Sequence, residues 1–417
     1  MPIEVVRGNC PCSLRLAREL GIDVDLGCEG GGDDCEIASF LDELPPSEPE
    51  RANGSADEPE RVVLDPADLR VLFGNDLGDV FVLVTSPDIR ETIRLESRDG
   101  FPVEEISWEG PDTRATVIAT FRELDAQAKR GSVLWIAADE FEHYLEEDLA
   151  NVKLAAISFF SDSYSPDSLR RYLAIIGATD YDHELALEDR LLGLLEDAER
   201  VVFRAPRFGT HATFEHHDSE HWFSLHGVLD FGQQTVLPTG ELATLTDPSG
   251  QFNFESRFSV NGDIVLKGHP IVHRGNRGVT RDETDRMYDA LANMHRFGVV
   301  CRVRDGLIEE ISSPTPGPNP LFAVIKSLFD LDERYRKIHE IGFGTNVGCA
   351  RMLSRNFFAN ERWPGVHCGL GLGGFTPFHL DLACMEMDVM IQTPRGEIVD
   401  VYRELGLPRI REVGAAA

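Results

Sequence analysis

The stretch VLWIAADEFEHYLEEDLANVKLAAISFFS, residues 133–161, decides the fold of the central part of the chain. It holds two strand-like apolar runs, VLWIAAD (133–139) and LAAISFFS (154–161), with the helical pattern FEHYLEEDLANVK (141–153) between them. Short apolar runs that alternate with helices are typical of a parallel α/β layer. We therefore predict a doubly wound α/β domain around this stretch.

The same alternation continues on both sides of it. Upstream lie the strand-like DVFVLVTS (79–86) and the helical ATVIATFRELDAQAKR (115–130), and downstream lie two predicted helices, at 165–176 and 183–198. Apolar runs and helices in this order extend the predicted parallel layer over more than a hundred residues.

The pattern changes beyond Glu199. Runs such as HWFSLHGVLDF (221–231) and GVVCRVRDGLIEEIS (298–312) are short, alternating and bounded by turn residues. They predict a mostly β C-terminal domain with two helices, near 281–296 and 320–337.

We therefore predict three parts of the chain. They are a cysteine-bearing N-terminal segment with an acidic linker, an α/β domain, and a C-terminal domain that carries a metal site, over 1–60, 61–199 and 200–417. A chain of 417 residues exceeds what one hydrophobic core usually supports, which agrees with two folded domains.

Composition narrows the class of function. The chain has no long apolar run and no basic-then-apolar N-terminus, so we expect a cytoplasmic protein. Its net charge of -32 would repel nucleic acid and anionic membranes, and neither is an expected partner.

The eight cysteines fall into two groups. Four of them cluster near the N-terminus, at spacings that match no standard zinc site, and we expect reduced thiols or an optional metal clip: Cys10, Cys12, Cys28 and Cys35. The other four lie in apolar or glycine-rich sequence, where buried free thiols are expected: Cys301, Cys349, Cys368 and Cys384.

The residues most indicative of function lie in the segment 338–390. It places Glu340, Glu361, His367, His379 and Asp381 among glycines. Carboxylates and imidazoles that converge in this way suit Zn, Mn, Co or Fe(II), which take mixed nitrogen and oxygen ligands. His379 and Asp381 are two residues apart, so on a strand they would face the same ion.

Other motifs are less specific. LPTGE (237–241) places Glu241 after a turn, in a setting similar to that of Glu340. The tract HATFEHHDSEHWFSLH (211–226) is rich in histidine and acidic residues, and a metal site, a solvated loop or a substrate-contacting loop would explain it. GLGLGG (369–374) does not open a helix after a strand, which argues against a nucleotide loop.

Six motifs, taken in order, resemble the thermophilic aminopeptidase family of aminopeptidases T and S. They are FGTHATF (208–214), LPTGE (237–241), RDGLIEE (304–310), HEIGFGTN (339–346), NERWPGVHCGLG (360–371) and HLD (379–381). The resemblance covers roughly residues 200–395 and extends less clearly over the α/β segment before it.

The resemblance implies a two-domain homodimeric hydrolase that cleaves an amide or a peptide-like substrate. Its implied dinuclear Zn, Mn or Co site maps onto Glu241, Glu340, His367, His379 and Asp381. Glu361 would lie beside that site, and Glu361 and Glu340 are the carboxylates expected to serve in catalysis. The expected partner is a small molecule or a short peptide.

The chain also departs from the family. A tyrosine that the family carries seven residues past the first metal histidine is replaced by Gly374, and the segment from that histidine to HLD is shorter. The 2,5-dihydroxypyridine dioxygenases are similar in this region, and they imply one Fe(II) held by His367, His379 and Asp381. A non-catalytic scaffold of the same fold is the third alternative.

Overall fold

A computed structural model describes most of the chain beyond residue 60. The described residues are 5–7, 61–108, 113–138, 141, 144, 146–160, 164–217, 221–245, 258–275, 279–349, 357–371 and 376–407. The N-terminal cysteines and Gly374 lie outside them.

The strands are numbered in chain order. They are β1 (Val5–Arg7), β2 (Val62–Leu64), β3 (Val80–Thr85), β4 (Ile93–Leu95), β5 (Val103–Ser107), β6 (Gly131–Ala137), β7 (Val152–Ser158), β8 (Arg200–Ala205), β9 (Thr210–Glu215), β10 (His221–Leu225), β11 (Gln234–Val236), β12 (Glu241–Leu245), β13 (Ser259–Leu266), β14 (Pro270–Arg274), β15 (Val299–Arg304), β16 (Leu307–Ser312), β17 (Ile338–Gly344), β18 (Gly365–Leu370), β19 (Phe378–Ala383), β20 (Asp388–Gln392) and β21 (Ile398–Asp400).

The α-helices are numbered in the same way. They are α1 (Arg70–Phe73), α2 (Pro87–Arg90), α3 (Thr113–Ala126), α4 (Glu146–Leu149), α5 (Pro166–Ala178), α6 (Tyr181–Glu196), α7 (Arg281–Leu291), α8 (Met294–Phe297), α9 (Leu321–Leu331), α10 (Phe357–Arg362) and α11 (Val401–Glu404). Short 3-10 turns lie at Pro66–Leu69, Pro206–Phe208, Glu333–Arg336 and Val347–Cys349.

A five-stranded parallel sheet forms the N-terminal layer, in the order β11-β7-β6-β3-β5. Every residue of β3, β6 and β7 is buried, as expected for a parallel sheet covered on both faces. Helix α5 begins with a capping box between Ser165 and Ser168 and with Pro166 at its first turn. The sequence therefore defines both the apolar strands and the start of a helix that covers them.

Two seven-stranded sheets form the C-terminal part. The site sheet has the order β1-β10-β12-β17-β18-β19-β14, and the outer sheet has the order β16-β15-β13-β9-β8-β20-β21. Apart from the parallel pairing of β1 with β10, neighbouring strands in these two sheets are antiparallel. One hydrophobic core contains side chains of both sheets, such as Phe343 and Leu382 from the site sheet and Phe203 and Ile264 from the outer sheet.

This architecture confirms the predicted fold class, a parallel α/β layer followed by a mostly β part. The helix predicted over 141–153 is wrong over most of its length: the described helix spans only Glu146–Leu149, Phe141 and Tyr144 are not helical, and Val152 and Lys153 are the first residues of β7. Lys153 is buried there, and its ammonium group donates to the Phe73 carbonyl at 2.6 Å, so a strand accommodates this charged side chain. A charged residue is compatible with a buried strand once its head group is paired.

The predicted boundary at residue 199 stays a prediction. Two elements reach across that position: β11 joins the parallel sheet from residues 234–236, and α6 packs Leu187, Leu191 and Leu195 into the C-terminal core.

Two further expectations concern cysteines and membranes. Cys301, Cys349, Cys368 and Cys384 are free and buried, which confirms the prediction for these four. Among the described residues, no helix combines the length and the apolar character that crossing a membrane requires.

Candidate metal centre

One buried face of the site sheet carries acidic and imidazole side chains, although buried sheet faces are normally apolar. The strand register pairs Glu340 with Gly369 and Gly369 with Asp381, and it pairs His273 with His379. Paired residues share a face and alternate residues along a strand return to it, so Glu241 and His367 also point to this side. The opposite face, with Ile341, Phe343 and Leu380, belongs to the core.

Glycines on the same face make room for these side chains. A Cβ atom at Gly342 would lie 2.1 Å from the His367 ring and 3.0 Å from Glu241 Oε1. A Cβ atom at Gly369 would lie 2.7 Å from Glu340 Cβ and 3.1 Å from Asp381 Oδ1. Any larger residue at either position would displace the polar side chains beside it.

Helix α10 supplies the remaining charged groups. It packs against β14, β17 and β19, and Gly344 allows the chain that follows it to lie directly on β17, since a Cβ atom at Gly344 would approach Trp363 O to 1.9 Å. Arg362 is fully buried at the end of this helix. Its Nη1 group lies 2.7 Å from Glu241 Oε2 and pairs with Glu361, and its Nε donates to the Pro238 carbonyl at 3.2 Å.

The polar groups form two halves that share Glu340. In one half, His367 Nε2 lies 3.1 Å from Glu241 Oε1 and 3.8 Å from Glu340 Oε1. In the other half, His379 Nε2 lies 2.9 Å from Asp381 Oδ2 and 3.4 Å from Glu340 Oε2. The two oxygens of Glu340 therefore point to different imidazoles.

The sequence motifs thus lead to one place in the fold. Glu241, Glu340, Glu361, His367, His379 and Asp381 are all buried in this cluster. The histidine tract does not converge as a unit, because its residues belong to β9 in the outer sheet and β10 in the site sheet. Within it, His216 stacks on Trp222, and His217 Nε2 lies 2.6 Å from Ser259 Oγ.

Two histidines of the cluster were not singled out from the sequence. His273 lies on β14, where its Nε2 pairs with Glu361 Oε1 and lies 3.4 Å from Asp381 Oδ2. His339 precedes Glu340, and strict alternation would send it to the opposite face. The pairing of β17 with β18 shifts between Ile338 and Glu340, and this β-bulge leaves His339 5.5 Å from the His379 ring, measured between ring centroids.

Burial and mutual charge govern ionisation in the cluster. Burial raises the pKa of Glu241, although Arg362 and His367 oppose that effect. Burial and the Asp381 charge also oppose ionisation of Glu340, but its contacts with His367 and His379 prevail and lower its pKa to about 2. The Asp381 carboxyl keeps a low pKa in spite of its burial, because His379 and His273 lie beside it.

The imidazoles respond in the opposite sense. Burial alone would lower the pKa of His273, but the neighbouring Glu361 and Asp381 raise it to about 9. His367 and His379 likewise have raised pKa values, against the effect of burial, since each contacts two carboxylates. These nitrogens therefore sit in a strongly negative environment that attracts cations.

The residues fit a metal cation by charge and by unsatisfied atoms. Among the described residues of this cluster, four buried carboxylates, Glu241, Glu340, Glu361 and Asp381, stand against the single guanidinium of Arg362, so excess negative charge remains when the imidazoles are neutral. Within the described part of the chain, Glu340 Oε2, Asp381 Oδ1 and His367 Nε2 have no hydrogen bond of good geometry. Buried groups of this kind are costly unless a cation or another partner satisfies them.

Three sets of donor atoms in the described residues are compact enough to hold an ion. Their ligand atoms lie within 4.8 Å of one another, and the sets are Glu241, Glu340 and His367; His339, Glu340 and His379; and His273, Glu361 and Asp381. The first two sets share Glu340.

His379 has the orientation of a metal ligand. Its Nδ1 lies 2.8 Å from the Gly371 carbonyl and can donate a hydrogen bond to it. This contact would leave Nε2, the nitrogen that faces Glu340 and Asp381, with its lone pair free.

Comparisons with known proteins identify structural neighbours but no sequence family. No family model and no curated protein matches the chain. Two solved structures are similar over 80% of the chain. One is 2,5-dihydroxypyridine dioxygenase from Pseudomonas putida KT2440, with a TM-score of 0.46, 16% identity and 94% of its own length covered. The other is wild-type AmpT from Thermus thermophilus, with a TM-score of 0.42, 14% identity and 96% of its own length covered.

Proposed function

We propose that this protein is a metal-dependent hydrolase that holds two divalent cations side by side and cleaves an amide or a peptide-like bond. The position of Glu340 between two imidazoles is the observation that carries the proposal, because its two oxygens face His367 and His379 separately. Each imidazole has a further carboxylate, Glu241 or Asp381, beside it. A carboxylate shared by two such halves suits a bridged pair of ions.

When bound, such a pair polarises a carbonyl group and lowers the pKa of water. Glu241, Glu340, His367, His379 and Asp381 would hold the ions. Their burial excludes bulk water, so charges in this pocket interact more strongly than they would at the surface.

Glu361 is the carboxylate that we propose as the proton acceptor. It belongs to the donor set of His273 and Asp381, outside the two sets that share Glu340, and its two oxygens pair with His273 and Arg362. These contacts fix the carboxylate in one orientation. Arg362 joins Glu361 to Glu241 and so positions both.

The test measures metal content and hydrolysis on the same sample. Protein purified without a metal-chelating tag should contain about two Zn, Mn or Co ions per chain and should hydrolyse members of a panel of aminoacyl 4-nitroanilides and short peptides. Glu340→Gln should lose metal. Glu361→Gln should retain metal and lose about 10²-fold or more in kcat, as expected when a base is removed.

The exposed Glu196 on α6 provides the control, since Glu196→Gln changes a carboxylate that belongs to none of the donor sets found in the described residues. A chain that binds two ions but cleaves none of the panel would contradict the proposed substrate class. One iron per chain, with oxygen uptake on a dihydroxypyridine, would contradict hydrolysis and favour the dioxygenase alternative. Absence of any bound metal would favour the scaffold.

A further inference from the structure

The β-bulge in β17 delivers a histidine that is additional to the ligand set implied by sequence resemblance. His339 and Glu340 are consecutive, yet both have donor atoms within 4.8 Å of a His379 donor atom. In a regular strand consecutive residues point to opposite faces, so one of the two would be directed into the apolar core. The bulge between Ile338 and Glu340 removes that restriction.

The surroundings of His339 suit a ligand better than a core residue. The side chain is fully buried, and neither ring nitrogen has a hydrogen bond of good geometry among the described residues. A buried imidazole without partners costs free energy, and a metal bond to one nitrogen would remove most of that cost.

We propose that His339 is a metal ligand and that it adds a second imidazole to the position formed by His379, Glu340 and Asp381. The inference rests on the proposed binding of two cations. The neighbouring position, formed by Glu241, Glu340 and His367, has one imidazole and two carboxylates. The two ions therefore meet different ligands.

The difference in donor atoms has a consequence for the order of binding. Imidazole nitrogen favours Co(II), Zn(II) and Fe(II), whereas carboxylate oxygen suits Mn(II). The His339 position should fill first with Co(II) or Zn(II), and the Glu241 position should fill second and accept Mn(II) more readily.

The matched control is His269. It is also a buried histidine, and its Nε2 likewise lacks a partner in the described structure. It belongs to none of the three donor sets found in the described residues. A substitution of His269 therefore removes a similar ring without touching the centre.

The experiment titrates Co(II) into chelator-treated wild type, His339→Ala, His339→Gln and His269→Ala, with calorimetry and visible absorption as readouts. We expect two sites in wild type and in His269→Ala. In the His339 variants the affinity of the tighter site should fall at least about tenfold, with a changed Co(II) spectrum, since loss of one direct ligand should exceed the effect of an outer contact. Circular dichroism checks that each variant is folded. If His339→Ala is unfolded, His339→Gln serves in its place, because glutamine keeps most of the side-chain volume.

Two results would overturn the inference, and they are distinguishable. Unchanged affinities and spectrum in a folded His339 variant would show that the ring is not a ligand, while two cations in wild type would leave the hydrolase proposal intact. Wild type that binds no Co(II) would overturn both.

Discussion

Glu184 and Glu188 are carboxyl groups near the metal centre whose ionisation is opposed by burial. They lie one turn apart on α6 and are both buried. Thr239 Oγ1 donates to Glu184 at 2.5 Å, and Ser224 Oγ donates to Glu188. Burial raises the pKa of Glu184 to about 8, and it raises that of Glu188 as well. Thr239 is two residues from Glu241, so these carboxyls support the strand that carries a proposed ligand.

The residue-scale prediction concerns the free energy of unfolding as a function of pH. The folded pKa of Glu184 lies above its unfolded value, so the folded state binds more protons between about pH 4.5 and 8, and its stability falls as the pH rises through that window. Glu184→Gln stays neutral and should remove this loss, with a slope difference of at most about 1.4 kcal/mol per pH unit. Urea unfolding of both proteins at several pH values measures this difference in slope.

Glu196 on the same helix is exposed, so Glu196→Gln should keep the wild-type slope. Parallel slopes for wild type and Glu184→Gln would contradict the buried neutral carboxyl.

Residue types and their spacing predicted many of the residues of the candidate metal centre. Glu241, Glu340, Glu361, His367, His379 and Asp381 were all named from short motifs, because closely spaced acids and imidazoles among glycines are unusual. His273 was not, since a single histidine in an apolar run, PIVHR (270–274), gives no such signal. Its role depends on β14 pairing with β19, more than a hundred residues later.

At the scale of elements, the paired strands β17 and β18 carry glycines, Gly342 and Gly369, that leave room for the polar side chains on the same face. The sequence motif HEIGFGTN predicts that Glu340 lies directly before a Gly-x-Gly turn, whereas β17 continues through Gly344. The bulge at His339 depends on pairing with β18 and could not be read from alternation. Likewise, the sequence predicts a helix over 141–153, whereas the described helix spans only Glu146–Leu149 and tertiary packing places Val152 and Lys153 in β7.

The element-scale prediction tests the glycine beside His367. Gly342→Ala should lower the affinity for Co(II) or Zn(II) by about tenfold or more, because the added Cβ would lie 2.1 Å from the His367 ring. The overpacking should also cost about 1–3 kcal/mol of stability. Calorimetric titration and thermal unfolding measure both effects.

Gly193 on α6 is the control. A Cβ atom there meets nothing within 4 Å, so Gly193→Ala should bind metal normally and gain up to about 1 kcal/mol of helix stability. Normal metal affinity in Gly342→Ala would mean that the His367 ring tolerates displacement and that its present position is not required.

At the scale of the whole molecule, the parallel sheet and the site sheet are connected by the chain and by hydrogen bonds next to the proposed ligands. Strand β11 pairs with β7 in the parallel sheet, and five residues later the chain enters β12 at Glu241. Arg281 and Arg274, which flank the loop after β14, donate to the Phe159 and Phe160 carbonyls at the end of β7. Asn346 after β17 donates to the Thr239 carbonyl at 2.9 Å. These contacts position the ligand strands against the N-terminal layer.

The last prediction follows from this connection. A fragment of residues 61–199, the predicted α/β domain, lacks β11 and exposes the hydrogen-bonding edge of β7, and it also exposes the apolar side of α6 that carries Leu187, Leu191 and Leu195. Exposed strand edges and apolar helix faces promote association and prevent cooperative folding. We expect this fragment to aggregate or to show no sharp thermal transition by near-UV circular dichroism, whereas the full chain should unfold in one transition. A soluble, monomeric 61–199 fragment with a sharp transition would establish the α/β part as an independent domain and would mean that β11 and the α6 contacts contribute little to its stability.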